Sequence, residues 1–203
     1  GLRLLDLEAR WLAARVLELL QHDAERTPFS VDKVEDERIV DVGGVQVRIV
    51  LDRVDRLADG AFAVIDYKTG TSAQPAAWMG ERPELPQLPL YVLAVGQDHV
   101  SAVAFGIVSK GSTEYRGFAR DGADFPQLRT FDAAKAPFKG YASWDDLLLA
   151  WHRRLEALAC EHAQGDARLA PNPARACRYC HLPGVCHSSQ ALVDAEGADD
   201  AAG

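Results

Sequence analysis

No run of apolar residues in this 203-residue chain is long enough to cross a bilayer, and no basic-then-apolar leader ending in small residues opens it. Nothing here argues for membrane insertion or secretion, and the expected setting is the cytoplasm. The chain also lacks an initiator methionine. It starts "GLRLLDLEAR", already helical in pattern, which points to a piece of something longer. Basic residues are in deficit, 22 Lys and Arg against 30 Asp and Glu, for a net charge of -8. That balance argues against a protein that simply coats nucleic acid, because phosphate binding needs clustered cations. It leaves open a chain that gathers carboxylates around metal ions, and several of the acids fall in the terminal "VDAEGADDAAG", residues 193–203, of disordered composition. Internal repeats are lacking too.

With 48% hydrophobic and 26% charged residues, the chain suits one globular domain with a substantial core. We expect that domain over 1–190 and a disordered tail over 191–203. Leu5, Leu12, Val16 and Leu19 recur at three-to-four-residue spacing and predict an amphipathic helix over 1–25, ended by Pro28. A core of strands is expected over 31–140. "VDKVEDERIVDV" runs to a Gly43-Gly44 turn, and "VQVRIVLDRV" follows with Val45, Val47, Ile49 and Leu51 on one side and Asp52 on the other. After the turn "LADG" comes the strand "AFAVIDY". "TSAQPAAWMGERPELP" reads as loop, and "QLPLYVLAVGQ" as a short helix with Pro86 and Pro89 near its first turn, where missing amide hydrogens cost little. The uninterrupted "VSAVAFGIVS" predicts a central strand covered on both faces, parallel to the strand at 61–67 across the helix between them. "TEYRGFAR" predicts a further strand. Over 143–164 a clear helix is expected, with Ser143 and Asp146 resembling a capping box and Gly165 as its stop.

Within "AVIDYKTG", residues 63–70, Asp66 and Lys68 are two apart and share a strand face, while Ile65 and Tyr67 point the other way. If 58–60 form a three-residue loop with Gly60 left-handed, Leu57 pairs with Ala61 and Asp52 falls opposite Asp66. A two-residue loop on Asp59-Gly60 sends the acids to opposite faces instead, and the three-residue loop is the expectation. Opposed Cβ atoms lie roughly 4.5–5.5 Å apart, where two half-shielded carboxylates repel unless a cation separates them. Two aspartates and the main-chain oxygen of Tyr67 suit a hard divalent ion such as Mg²⁺. With Lys68 beside them to orient water or neutralise charge, the set suits phosphodiester hydrolysis. Taken singly, the bland alternative holds: Asp52, Arg53, Asp55 and Arg56 as surface ion pairs, and Lys68 as a solvated strand end.

"IVLDRVDRLADGAFAVIDYKTG" followed by "QLPLY" resembles the PD-(D/E)XK nuclease superfamily, specifically the RecB and AddB type of nuclease domain, over residues 30–190. The resemblance implies an α/β restriction-endonuclease-like core, a mixed central β-sheet flanked by helices, with a C-terminal cysteine-bearing loop. It implies a Mg²⁺- or Mn²⁺-dependent deoxyribonuclease, of exonuclease type, acting in DNA repair and recombination alongside a helicase domain or partner subunit. Carried over, Asp52, Asp66 and Lys68 are catalytic, with Asp52, Asp66 and Tyr67 at the metal. Gln87 and Tyr91, four apart and so on one helix face, contact DNA. Family members also present a His or Glu from a helix well before the first Asp. Here that helix is expected upstream of Gly1, because His22, the only histidine before Asp52, is a poor stand-in. Without it ion binding is expected to be weak, so this piece can be inactive although its parent is not. A non-catalytic DNA-binding or structural remnant of the same fold is the alternative.

All four cysteines lie in the last quarter, and Cys177, Cys180 and Cys186 follow a Cys-x2-Cys-x5-Cys spacing that suits zinc or an iron–sulfur cluster better than disulfides. In AddB-type nucleases this triplet, in a loop expected here over 171–187, holds a 4Fe-4S cluster with a fourth cysteine far upstream. Cys160 is expected to be a buried small hydrophobe, and His181 and His187 could complete a zinc site instead; free thiols are the bland alternative. For DNA, Tyr91 and Trp78 are candidates for stacking, and Arg53, Arg82, Lys110, Arg116 and Arg178 for phosphates.

Overall fold

A computed structural model describes residues 2–70, 73–109, 111, 113–166, 181, 182 and 185. The expected cysteine loop and its ligands Cys177, Cys180 and Cys186, with His187, Lys110, Arg178 and the tail, lie outside the described residues. The chain divides into two compact units, Gly1–Cys160 and Glu161–Gly203, and the architecture below is that of the first. Among the described residues, no helix is long and apolar enough to cross a membrane.

Three helices and six strands follow one another as α1 (Leu2–Ala24), β1 (Ser30–Val42), β2 (Val45–Arg56), β3 (Phe62–Lys68), α2 (Gln87–Val95), β4 (Val100–Val108), β5 (Thr113–Ala119), β6 (Arg129–Thr130) and α3 (Trp144–Ala163). The strands form one mixed sheet in sequential order, β1-β2-β3-β4-β5-β6. Neighbours are antiparallel except β3 with β4 and β5 with β6, which run parallel. All nine residues of β4 are buried, Ser101 among them, as its near-continuous apolar run requires of a strand covered on both faces.

On one face Ile49, Leu51, Val54, Val64, Phe105 and Ile107 pack against Leu88 and Val92 of α2 and the apolar stripe Trp144, Leu147, Leu148 and Trp151 of α3. The α3 start is capped: Ser143 Oγ accepts the Asp146 amide at 3.1 Å, and Asp146 Oδ2 accepts the Ala142 amide at 2.9 Å. The expected loop after β3 contains a 3₁₀ turn, Pro75–Trp78, that drives Trp78 into this core against Phe105, Phe118 and Trp151. With no exposure at all, Trp78 cannot stack on DNA, which corrects the sequence expectation. Its indole is large enough to plug the space under the turn, a tertiary fact that local composition did not reveal.

Behind the sheet, α1 follows its predicted range but not its predicted burial. Leu19 is 6% exposed, whereas Leu5, Leu12 and Val16 are 62%, 46% and 42% exposed, so helical periodicity here marks a helix without a covered stripe. The C-terminal end of α1 is instead held by buried charge. Asp55 accepts two bonds from Arg53, at 2.6 and 2.9 Å, and one from Arg26 at 2.8 Å. Asp23 accepts from Arg26, Arg53 and the Tyr115 hydroxyl, each at 2.9 Å. Phe29 and Phe125 sandwich the Arg26 guanidinium at 3.8 Å on either side. Arg53 and Asp55 are therefore not surface ion pairs, and Arg53, 7% exposed and fully engaged, is not a phosphate contact. Only Arg56, paired with Asp32, keeps the expected surface role.

Burial disfavours the charged form of Asp23, but the bonds and charges of Arg53 and Arg26 and the Tyr115 hydroxyl outweigh it and hold the carboxyl below 3.8. A depressed folded value means the stabilisation is complete above the unfolded value and is lost as pH falls through the folded one, so acid should loosen this corner below about pH 4. Asp55→Ala leaves two buried guanidiniums under-paired and should cost roughly 3–5 kcal/mol by urea denaturation at neutral pH. A loss under about 0.5 kcal/mol, the range of ordinary surface substitutions, would mean that the cluster does not hold the helix to the sheet.

Candidate active site

The site grows out of the β2–β3 hairpin. Gly60 adopts φ 85, which favours glycine, and the Leu57 amide donates to the Ala61 carbonyl at 2.8 Å. The loop is therefore the three-residue one, and Asp59 Oδ1 steadies it by accepting the Ala61 amide at 2.9 Å. The ladder runs Arg56 with Phe62, Asp55 with Ala63, Val54 with Val64 and Arg53 with Ile65. One further step of the same register sets Asp52 against Asp66. Backbone pairing stops just short of that step, and Asp52 Oδ2 takes the Tyr67 amide at 2.8 Å in place of a ladder bond. The carboxylate thus closes the end of the hairpin and stays beside Asp66.

Asp66 has no solvent exposure, and neither of its oxygens has a hydrogen-bond partner among the described residues. Lys68 Nζ lies 2.6 Å from Asp66 Oδ2, an ion pair by distance without the alignment of a hydrogen bond. Burial pushes the Asp66 carboxyl up to about 6; Lys68 works against that rise and the neighbouring Asp52 carboxylate adds to it. Two acids and one amine therefore share a pocket that is short of positive charge.

Helix α2 completes the constellation. Its buried Leu88 and Val92 anchor it to the sheet, which turns Gln87 and Tyr91 toward β3. Lys68 Nζ donates to Gln87 Oε1 at 2.8 Å, and Gln87 Nε2 donates to the Tyr91 hydroxyl at 2.5 Å. The Tyr91 ring is only 2% exposed, so its face is core and not a stacking platform; its hydroxyl is what reaches the site. Burial first, then the charges of Asp52, Asp66 and Glu35, raise the Tyr91 hydroxyl to about 12 against the opposing bond from Gln87. It stays protonated through the physiological range. The Tyr67 side chain points to the opposite face, where its hydroxyl accepts from Arg53 at 3.0 Å and its ring lies over Gly106. A Cβ at Gly106 would come within 2.6 Å of that ring, so glycine is required there.

The remaining candidates divide. Arg116 stands on the same face two strands from Asp66, but its guanidinium already bonds Ala73 O and Glu114. His22 points elsewhere, with Nε2 on the Thr113 carbonyl at 2.8 Å. Cys160 is exposed rather than buried, its Sγ 3.8 Å from Gly43 O, because it falls on the outer side of the α3 stripe. Glu35 was missed. Counting back from the Gly43-Gly44 turn places it across from Asp52, a register that the sequence carried.

Two carboxylates and an amine where a hairpin strand meets a parallel neighbour, in a mixed six-stranded sheet flanked by helices, define a restriction-endonuclease-like α/β protein. The chain belongs to the PD-(D/E)XK nuclease superfamily, whose family model matches residues 3–187. No curated protein matches it significantly.

Nucleases of this superfamily commonly use Mg²⁺ or Mn²⁺. Among the described residues no three His, Cys, Asp or Glu side chains are already gathered as a ready-made metal cage. The donor set nonetheless fits such an ion, because both buried Asp66 oxygens lack hydrogen-bond donors and the acid beside them repels them. A buried carboxylate that accepts no hydrogen bond, and whose Lys68 ion pair does not offset its burial, burdens the cation-free fold. Asp66→Asn should therefore raise stability by roughly 1–3 kcal/mol in chelator at neutral pH. The folded-state value is the raised one, so the burden is complete above about 6 and vanishes as pH falls toward 3.8, and the advantage of the variant should shrink over the same interval. Destabilisation by Asp66→Asn under chelator would show that the carboxylate is satisfied after all.

Proposed function

We propose that this chain is a metal-dependent DNA nuclease domain of RecB and AddB type that hydrolyses phosphodiester bonds in DNA repair or recombination as part of a larger protein. The observation that carries the reading is the buried, hydrogen-bond-starved Asp66 beside Asp52, with Lys68 held over it by Gln87. Asp52 and Asp66, with the main-chain oxygen of Tyr67, would hold Mg²⁺ or Mn²⁺. When bound, such an ion stabilises charge on phosphoryl oxygens and eases deprotonation of water.

The chain's own groups supply the rest. Lys68 Nζ, fixed between Asp66 and Gln87, offers a positive donor to the attacking water or to the charge that builds on the phosphate. Gln87 acts through Lys68 and is itself fixed by the Tyr91 hydroxyl, so the pair on α2 positions the amine and the strand that approaches it. The acids keep this pocket negative, so a phosphate backbone is not drawn in by the pocket itself without a cation. For the triplet Cys177, Cys180 and Cys186, three thiolates at this spacing suit a 4Fe-4S cluster, with zinc as the other candidate. Anaerobically purified protein should be brown with broad visible absorption, whereas a colourless protein carrying stoichiometric zinc decides for zinc.

The direct test is cleavage of linear single- and double-stranded DNA with Mn²⁺. Asp52→Ala, Asp66→Ala and Lys68→Ala should each lower the rate on the order of a hundredfold or more, with folding checked by circular dichroism. Cleavage that survives Asp66→Ala excludes this site. A folded wild-type protein that binds DNA without cutting it, and that stays inactive when extended upstream, favours a non-catalytic remnant of the fold.

A further inference from the structure

Asp52 has neighbours on two ladders, and the β3 side accounts for only one of them. On the other side Val42 pairs with Val45 across Gly43 and Gly44, which take φ 57 and 85, and the same count pairs Asp36 with Leu51 and Val34 with Arg53. The residue across from Asp52 on β1 is therefore Glu35. Topology lines up three carboxylates, Glu35, Asp52 and Asp66, across three adjacent strands.

Glu35 is also the one non-glycine with positive φ among the described residues, at 46. An L-residue in that region carries a conformational penalty, and a glutamate lacks the short polar side chain that makes Asn or Asp tolerant of it. Here the β1–β2 ribbon turns over: Leu51 and Val54, an odd distance apart, reach the same core cluster. Like charges directly opposite one another are destabilising, and the turned backbone takes Glu35 out of a fixed face-to-face pairing with Asp52. Its side chain is exposed and engages no hydrogen-bond or ion-pair partner among the described residues. β1 passes beside α2, and the charge of Glu35 bears on the Tyr91 hydroxyl together with those of Asp52 and Asp66. The second observation that points to a ligand is the burial of Asp66, the innermost acid of the row, which has no solvent exposure and whose two oxygens accept no hydrogen bond although Lys68 is close to one of them.

We infer that Glu35 is a third carboxylate of the divalent-cation site, a swinging ligand that closes on the ion from β1. This rests on Asp52 and Asp66 holding a cation as proposed above. In the absence of the ion the three acids are not gathered. An exposed glutamate keeps the rotamer freedom to move in once a positive charge removes the repulsion, and a third hard oxygen donor suits Mg²⁺ or Mn²⁺. A cation ligand on the first strand would serve where the helix-borne residue of the family was expected.

The test is Mn²⁺ affinity, read from the electron paramagnetic resonance of free Mn²⁺ during titration of the 203-residue chain. Glu35→Gln keeps the backbone and removes the charge; Glu35→Gly removes the side chain and relaxes the left-handed residue. Both should weaken Mn²⁺ binding by about tenfold or more, and Glu35→Gly should melt above wild type in chelator, so that weaker binding is not lost folding. Affinity unchanged in both variants, with binding abolished by Asp66→Asn, overturns the role of Glu35 and leaves the two-aspartate site standing. Affinity lost only in Glu35→Gly assigns the effect to the backbone and overturns it as well. Wild type that binds no Mn²⁺ removes the cation site and this inference together.

Discussion

A carboxylate with no solvent and no hydrogen-bond donor, set beside a second carboxylate, is an arrangement that folding alone does not favour. Burying a charge costs several kcal/mol by general reckoning, an appreciable part of a domain's whole stability, and the one misaligned ion pair to Lys68 offsets only part of it here. Asp66 is held there because the hairpin register leaves it no alternative: the loop at Gly60 fixes Leu57 against Ala61, and every pair up to Arg53 and Ile65 follows. Val54 and Val64 belong to the core on one face and Ile65 to the core on the other, so a slip of β3 by one residue would send Val64 and Ile65 each into the wrong core and turn Asp66 away from Asp52. Core packing thus enforces an electrostatically costly site.

The opposite face of the same two strands shows how the cost is offset. Arg53 and Asp55, one residue either side of Val54, point away from the acids into a network with Arg26 and Asp23 in which every carboxylate is multiply bonded. Each carboxylate there accepts several hydrogen bonds, whereas Asp66 accepts none and has only its ion pair with Lys68. The contrast between adjacent residues of one strand separates a structural ion cluster from a site with something to bind. Helix α2 packs on the acid side of the sheet, where its apolar residues join the core and its Gln87 and Tyr91 set the position of Lys68.

Local chemistry made part of this legible. A three-residue loop at 58–60 with Gly60 left-handed gave the register; the continuous, β-rich β4 signalled a central strand parallel to β3; Ser143 and Asp146 marked the start of α3. Other features needed contacts between distant residues. Trp78 looked like a loop aromatic and is a core plug; Arg53 looked like a phosphate contact and is locked behind the sheet; the α1 periodicity implied a covered stripe that the described structure does not supply. The two-residue β6 carries too little pattern to be seen at all. Glu35 was readable in principle, because the Gly43-Gly44 turn fixes its partner, but its left-handed backbone has no signature in a sequence.

Everything turns on whether the acid pair at the end of the hairpin is a cation site. Crystals soaked in Mn²⁺ and measured at the manganese absorption edge answer that without reference to any activity. An anomalous peak is expected between the carboxylates of Asp52 and Asp66, close to the main-chain oxygen of Tyr67. Well-diffracting crystals with no peak there, or with Lys68 alone still neutralising Asp66 at saturating Mn²⁺, would contradict it.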